Sequence, residues 1–270
     1  MTINAPLAVK ILTAFIREEL TKAGFQKGVL GLSGGLDSSV CAALAALALG
    51  PENILGVMMP CGASFTGERD DAGLVAKHLG IRTETIDIRP MVEAYFEKRP
   101  TDDRIRRGNK MARERMSILY DISARDRALI LGTSNKTELL IGYGTIHGDT
   151  ACAVNPMGDL YKTQVRQIAA HLGLPERIRT KAPTAGLWAG QTDEAELGMA
   201  YEEIDLILFK LVDERESRKD VVAAGFEAAK VDRILGLIRG SEFKRQMPPI
   251  AKISTRTIGH DFLYPYDWER

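Results

Sequence analysis

Seven consecutive residues, Ser33-Gly34-Gly35-Leu36-Asp37-Ser38-Ser39, combine the side-chain types that hold a phosphate. They follow the apolar run Val29-Leu30-Gly31-Leu32 and precede an Ala/Leu-rich stretch that ends at Leu49. A strand, a glycine turn and a helix opened by serines leave the first amides of that helix without intrahelical acceptors and aimed at an anion. Gly34 and Gly35 let the backbone turn tightly against a ligand, and Ser33, Ser38 and Ser39 add hydroxyl groups. Asp37 is repelled by bound phosphate unless a divalent cation lies between them, so it reads as a Mg²⁺ ligand. The alternative is an acid that only offsets the helix dipole. The two commonest phosphate-loop patterns, G-x-x-x-x-G-K-[ST] and G-x-G-x-x-G, are both absent.

A second constellation, Gly132-Thr133-Ser134-Asn135-Lys136-Thr137-Glu138, follows the apolar run Ala128-Leu129-Ile130-Leu131. That position puts Thr133 and Glu138 at a strand end, where a hydroxyl meets a nucleotide and a carboxylate shares a metal with Asp37. Here too a plainer reading stays open, with Ser134 or Asn135 capping a helix and Glu138 facing solvent.

The elements that would carry these residues follow from periodicity. Helical spacing covers 6–23, 40–49, 68–79, 101–125, 201–211 and 231–238, and strand patterns cover 54–59 and 82–88 in addition to the two runs above. Strands alternating with helices predict a Rossmann-like α/β fold, a parallel sheet with helices on both faces and ligands at the carboxyl ends of its strands. One domain spanning 1–270 is expected, with a helical extension from 201. The segment 180–200 carries Pro183, Gly186, Gly190 and Gly198 without a period and reads as a mobile loop able to close on a nucleotide, or else as a surface linker. The tail residues Phe262, Tyr264, Tyr266 and Trp268 are expected to pack on the body or on a second subunit.

Lys+Arg and Asp+Glu balance at 36 each, which disfavours nucleic acid as a partner. Cys41, Cys61 and Cys152 are scattered without C-x-x-C, which argues for a reducing, cytoplasmic setting and against structural zinc. Neither a leader pattern nor an 18-residue apolar run is found, so no membrane association is expected.

Ser33 to Ser39 resembles the pyrophosphate loop of the N-type ATP pyrophosphatases. Asn109 to Met116, Gly132 to Glu138, Asp159 to Arg166, Lys181 to Trp188, Gly190 to Glu194 and Lys244 to Pro248 extend the likeness, in order, to the ammonia-dependent NAD synthetases. The resemblance implies an adenine nucleotide alpha hydrolase-like fold and adenylation of the nicotinate carboxylate of deamido-NAD by ATP, with ammonia then displacing AMP. It implies an ATP site built from Gly31, Leu32, Ser33, Gly34, Gly35, Leu36, Asp37, Ser38, Ser39, Thr133, Lys162 and Thr184. It further implies Mg²⁺ on Asp37 and Glu138, catalysis by Asp37 and Lys162, and dinucleotide contacts from Asn109, Arg113 and Lys244. A homodimer is implied, as are free ammonia or a separate glutaminase as nitrogen source. Ile146, Ala153 and Phe243 stand where the family has a lysine, an aspartate and a histidine on the acceptor side. Three alternatives follow: an amide synthetase for another carboxylate, a tRNA-thiolating enzyme and an idle nucleotide-binding protein.

Overall fold

The structure, a computed structural model, describes residues 1–61, 66–188 and 190–258, with backbone alone over 66–69. Strands β1 (Lys27–Gly31), β2 (Ile54–Met58), β3 (Arg82–Thr85) and β4 (Ala128–Ile130) form one parallel sheet in the order β3-β2-β1-β4. In its register Val29 faces Leu55 on one side and Ile130 on the other. β1 is thus central, and successive residues on it point to opposite faces.

Leu30 enters a core shared with α1 (Ala5–Lys22), α2 (Leu36–Leu49) and α7 (Lys162–His171), where Ile16, Leu20, Val40, Leu44, Val165 and Ile168 are all fully buried. Val29 enters the opposite core with Val57, Ile88, Val92, Leu119 and Ile122, under α4 (Arg89–Glu97) and α5 (Arg104–Asp126). Each such large aliphatic side chain, taken out of water, contributes about 1.5–3 kcal/mol. Both faces of the sheet are therefore held shut, and its carboxyl edge is left for a ligand.

A third cluster closes the C-terminal side. Tyr201, Ile204, Ile207 and Leu208 of α10 (Tyr201–Leu208) pack with Val221 of α11 (Arg218–Ala223), Val231 and Ile234 of α12 (Ala228–Gly240), and Ile141 of α6 (Lys136–Ile141). The remaining helices are α3 (Thr66–Leu79), α8 (Glu176–Arg179) and α9 (Asp193–Leu197).

Several elements differ from the expectation. The helix expected over 101–125 is α5, started at residue 104 because the Asp103 side chain accepts from the amides of Ile105 and Arg106. Ahead of it lies a separate α4, too short a helix for its period to stand out in the sequence. β3 stops at Thr85, although the chain stays hydrogen-bonded alongside β2, with Ile86 N donating to Met58 O at 2.9 Å. α10 passes at Phe209 into a wider helical turn, Phe209–Asp213, so the helix expected to 211 runs to 213 with its last turn widened. The aromatic residues Phe262, Tyr264, Tyr266 and Trp268 lie outside the described residues. Among the described residues no helix is long and apolar enough to cross a membrane.

Candidate active site

The turn between β1 and α2 has the geometry its sequence demands. Gly34 takes φ +74°, a left-handed conformation that side chains resist, and Gly35 is the residue before the first helical turn. No side chain caps α2, so the amides of Leu36, Asp37 and Ser38 open the helix with no earlier carbonyl to bond. The hydroxyls of Ser33 and Ser38 lie 3.0 Å apart, and Ser33 Oγ accepts from Gly35 N at 3.2 Å. The helix dipole and these hydroxyls suit an anion.

Across from this turn, α6 and α7 each present one charged side chain. Asn135 caps α6: its Oδ1 accepts from Glu138 N at 3.0 Å while Glu138 Oε2 accepts from Asn135 N at 3.4 Å. Its Nδ2 donates to Asp37 Oδ1 at 3.0 Å, tying the cap to the first turn of α2. Lys162, the first residue of α7, is buried with only 3% of its surface exposed, and its Nζ pairs with both Asp37 Oδ2 and Glu138 Oε1, the latter at 3.0 Å. Asp37 and Glu138 thus converge on one cation. The face of Tyr201 lies 5.1 Å from the same Nζ.

Electrostatics at this cluster are governed by burial. Desolvation pushes Glu138 up to about 7, opposed by Lys162 and reinforced by Asp37. Desolvation would depress the Lys162 ammonium, but Asp37 and Glu138 outweigh it and hold the group above the ordinary lysine range. Asp193, in α9, is a third acid nearby: burial raises its pKa, and it accepts from Tyr143 Oη at 3.0 Å and Tyr201 Oη at 3.1 Å.

These groups open on a cavity of about 530 Å³ at the carboxyl edge of the sheet. Of the residues singled out in the sequence, Gly31, Leu32, Ser33, Gly35, Leu36, Asp37, Ser38, Asn109, Thr133, Glu138, Lys162, Thr184 and Lys244 all line it. Three do not reach its wall. Ser39 is fully buried with its hydroxyl donating to Gly35 O at 2.7 Å, so it braces the turn. Gly34 supplies only the backbone conformation there. Arg113 is exposed and donates from Nε to Ile146 O at 3.2 Å. Lys244 Nζ is spent on Gly142 O and Gly144 O, both at 2.8 Å. Asn109 accepts from Thr145 Oγ1 at 2.7 Å.

The segment 180–200 forms one cavity wall through 181–188 and contains α9, a helix too short to produce a visible period. Lys181 Nζ anchors it to buried Asp71 at 2.7 Å, and Asp193 N donates to Pro183 O at 3.1 Å. Asn135, Tyr143, Asp193 and Tyr201 were the residues that sequence reasoning missed. Asn135 had been weighed only as a cap, and it is a cap that also reaches Asp37. Asp193 lay inside a segment already noted, Gly190 to Glu194, but nothing local marks a carboxylate that meets two tyrosines from elsewhere in the chain.

Residues 8–248 match the family model of NAD synthase. The chain belongs to that family. An NH(3)-dependent NAD(+) synthetase of Trichlorobacter lovleyi is 50% identical over 268 residues, 99% of this chain and 98% of the relative. Two solved structures share the NAD synthase fold along nearly their whole length. The NH3-dependent NAD synthetase of Campylobacter jejuni is 32% identical with a TM-score of 0.80, covering 93% of this chain and 100% of that one. The NMN synthetase of Francisella tularensis is 30% identical with a TM-score of 0.82, covering 93% and 99%. The expected Rossmann-like parallel sheet is therefore the fold of this family.

Proposed function

We propose that this chain acts as an ammonia-dependent NAD synthetase: ATP adenylates the nicotinate carboxylate of deamido-NAD, and ammonia then displaces AMP to leave the amide. The observation that carries this reading is the pairing of Asp37 and Glu138 with Lys162 beside an uncapped helix start in one cavity. The amides of Leu36 to Ser38 and the Ser33 and Ser38 hydroxyls hold the β,γ end of ATP. Thr133, Thr184, Asn109 and Lys244 line the same cavity, the first two offered to the rest of the nucleotide and the last two to the acceptor.

The chemistry needs no side-chain nucleophile. A substrate carboxylate oxygen attacks the α-phosphorus, the bond to the β-phosphate breaks, and pyrophosphate leaves along the turn. Negative charge grows on the leaving pyrophosphate, where Lys162 and the loop amides stabilise it more in the transition state than in the ground state. Ammonia then adds to the acyl carbon of the adenylate and AMP departs. The wall at 181–188 limits water, which would otherwise hydrolyse the adenylate.

Mg²⁺ fits the donor set: Asp37 and Glu138 are hard oxygen ligands that already turn toward one cation, Lys162 Nζ. Among the described residues no group of three or more His, Cys, Asp or Glu is arranged to hold a metal without further ligands, so phosphate oxygens and water would complete the shell. Bound there, Mg²⁺ would offset charge on the polyphosphate.

ATP–pyrophosphate exchange without ammonium tests the adenylation step. Labelled pyrophosphate is expected to enter ATP only when deamido-NAD is present; exchange indifferent to any carboxylate would contradict it. A second reading, amidation of a different carboxylate, follows from Ile146, Ala153 and Phe243, which stand where the resemblance implies a lysine, an aspartate and a histidine. A homodimer, a cytoplasmic setting and a separate glutaminase as nitrogen source belong to the same proposal, as does a single domain over 1–270.

A further inference from the structure

Asp205 is fully buried in α10, in the third hydrophobic cluster, and its carboxylate is used at both oxygens. Oδ1 accepts from Thr137 Oγ1 at 2.6 Å, and Oδ2 accepts from Thr163 N at 2.8 Å. Thr137 Oγ1 in turn accepts from Lys162 N at 3.0 Å. Thr137 is the residue before Glu138, and Thr163 is the residue after Lys162. One side chain from a third helix therefore clamps the first turns of α6 and α7, which present the Glu138 carboxylate and the Lys162 ammonium of the site.

Burial of a carboxylate is costly unless its lone pairs are satisfied, and here both oxygens are held by directed donors. What an apolar residue cannot do is fix two helix starts relative to each other by directed bonds. A carboxylate facing the amide end of α7 is also favoured by that helix's dipole. Burial raises the Asp205 pKa, and the bonds from Thr137 and Thr163 oppose the rise.

We propose that Asp205 is a positioning residue for the reaction: through Thr137 and the backbone of Lys162 and Thr163 it sets the spacing between the Glu138 carboxylate and the Lys162 ammonium. The proposal rests on the functional reading above. It assigns to the C-terminal helices a part in the chemistry as well as in packing, because α10 would carry the alignment of the site.

The test compares Asp205→Asn, Thr137→Val and the double variant with the unaltered protein. Each is assayed for AMP formation at varied Mg²⁺ and acceptor, and amide hydrogen exchange of 162–163 is followed in ligand-free protein. The expected result is a fall in kcat of at least 10-fold and a higher Mg²⁺ concentration for half-maximal rate. KM for the acceptor stays within about 2-fold, exchange at 162–163 is faster, and the double variant is no worse than the poorer single one. Thr137→Ser, which keeps the hydroxyl, is expected to retain most of the rate. The inference is overturned if the variants lose only Tm while kcat and the Mg²⁺ requirement of the folded fraction stay unchanged. It is also overturned if the two single losses simply multiply. An unaltered protein that forms no acceptor-dependent AMP would sink the functional reading and this inference together, an outcome distinct from either.

Discussion

Lys162 is where one residue does two jobs. In the free protein its ammonium balances Asp37 and Glu138 inside a nearly closed site, and in the proposed reaction the same charge faces the polyphosphate. Replacing Lys162 by Met leaves two partly buried carboxylates without a counter-charge. Breaking such a pair costs about 3–5 kcal/mol, so Tm should fall by roughly 10 °C. Added Mg²⁺ should restore more Tm in Lys162→Met than in the unaltered protein; an equal response in both would argue against a shared cation position. Asp37→Asn keeps the size and the contact to Asn135 but removes a charge. Pyrophosphate release should fall about 10²-fold or more with little change in far-UV circular dichroism, and near-normal turnover would remove Asp37 from the metal-binding role. Glu138 supplies a pH dependence. Its pKa is pushed up to about 7, so the protonated form grows as pH falls below that value and competes with the metal. Mg²⁺ affinity should rise between about pH 6 and pH 8, with proton release visible by calorimetry in buffers of different ionisation enthalpy. Glu138→Gln should flatten that dependence.

At the level of the elements, each catalytic candidate sits at the start of a helix, and the sequence showed those starts unevenly. The β1–α2 turn was legible because strand, glycine turn and serines are contiguous, and Gly34 has the positive φ that only such a residue takes easily. Glu138 was legible for the same reason. Asp193 and Asp205 were not, because their partners lie at Tyr143, Tyr201, Thr137 and Thr163, and nothing in a local window records which distant donors a carboxylate will meet. Arg113, a dinucleotide contact by resemblance alone, is exposed with its Nε bonded to Ile146 O, and no local pattern announces that bond. Helix ends also join the C-terminal cluster to the site. Gly142 closes α6 with φ +70°, and an added Cβ would fall 2.0 Å from Ser241 Cβ. Gly142→Ala should cost about 1–3 kcal/mol and loosen the Lys244 contacts to Gly142 O and Gly144 O, seen as a lower Tm together with a higher KM for the acceptor. An unchanged KM would separate that helix end from acceptor binding.

For the whole molecule, the sheet, its two covered faces and the C-terminal helices meet around a single edge, and every charged group of the proposed chemistry comes from a different stretch of chain. Such an arrangement suits coupling one nucleotide cleavage to one amide bond, because the groups proposed to grip ATP and those proposed to face the acceptor line one cavity. The acceptor is the part of the proposal to test first, because the resemblance implies a lysine, an aspartate and a histidine where this chain has Ile146, Ala153 and Phe243. The most direct measurement gives the purified protein ATP, Mg²⁺ and ammonium with either deamido-NAD or nicotinate mononucleotide and quantifies AMP and amide product. AMP and NAD are expected in equal amounts with deamido-NAD, with a lower kcat/KM for the mononucleotide. Amide formed from the mononucleotide alone, or AMP released without any acceptor, would contradict it.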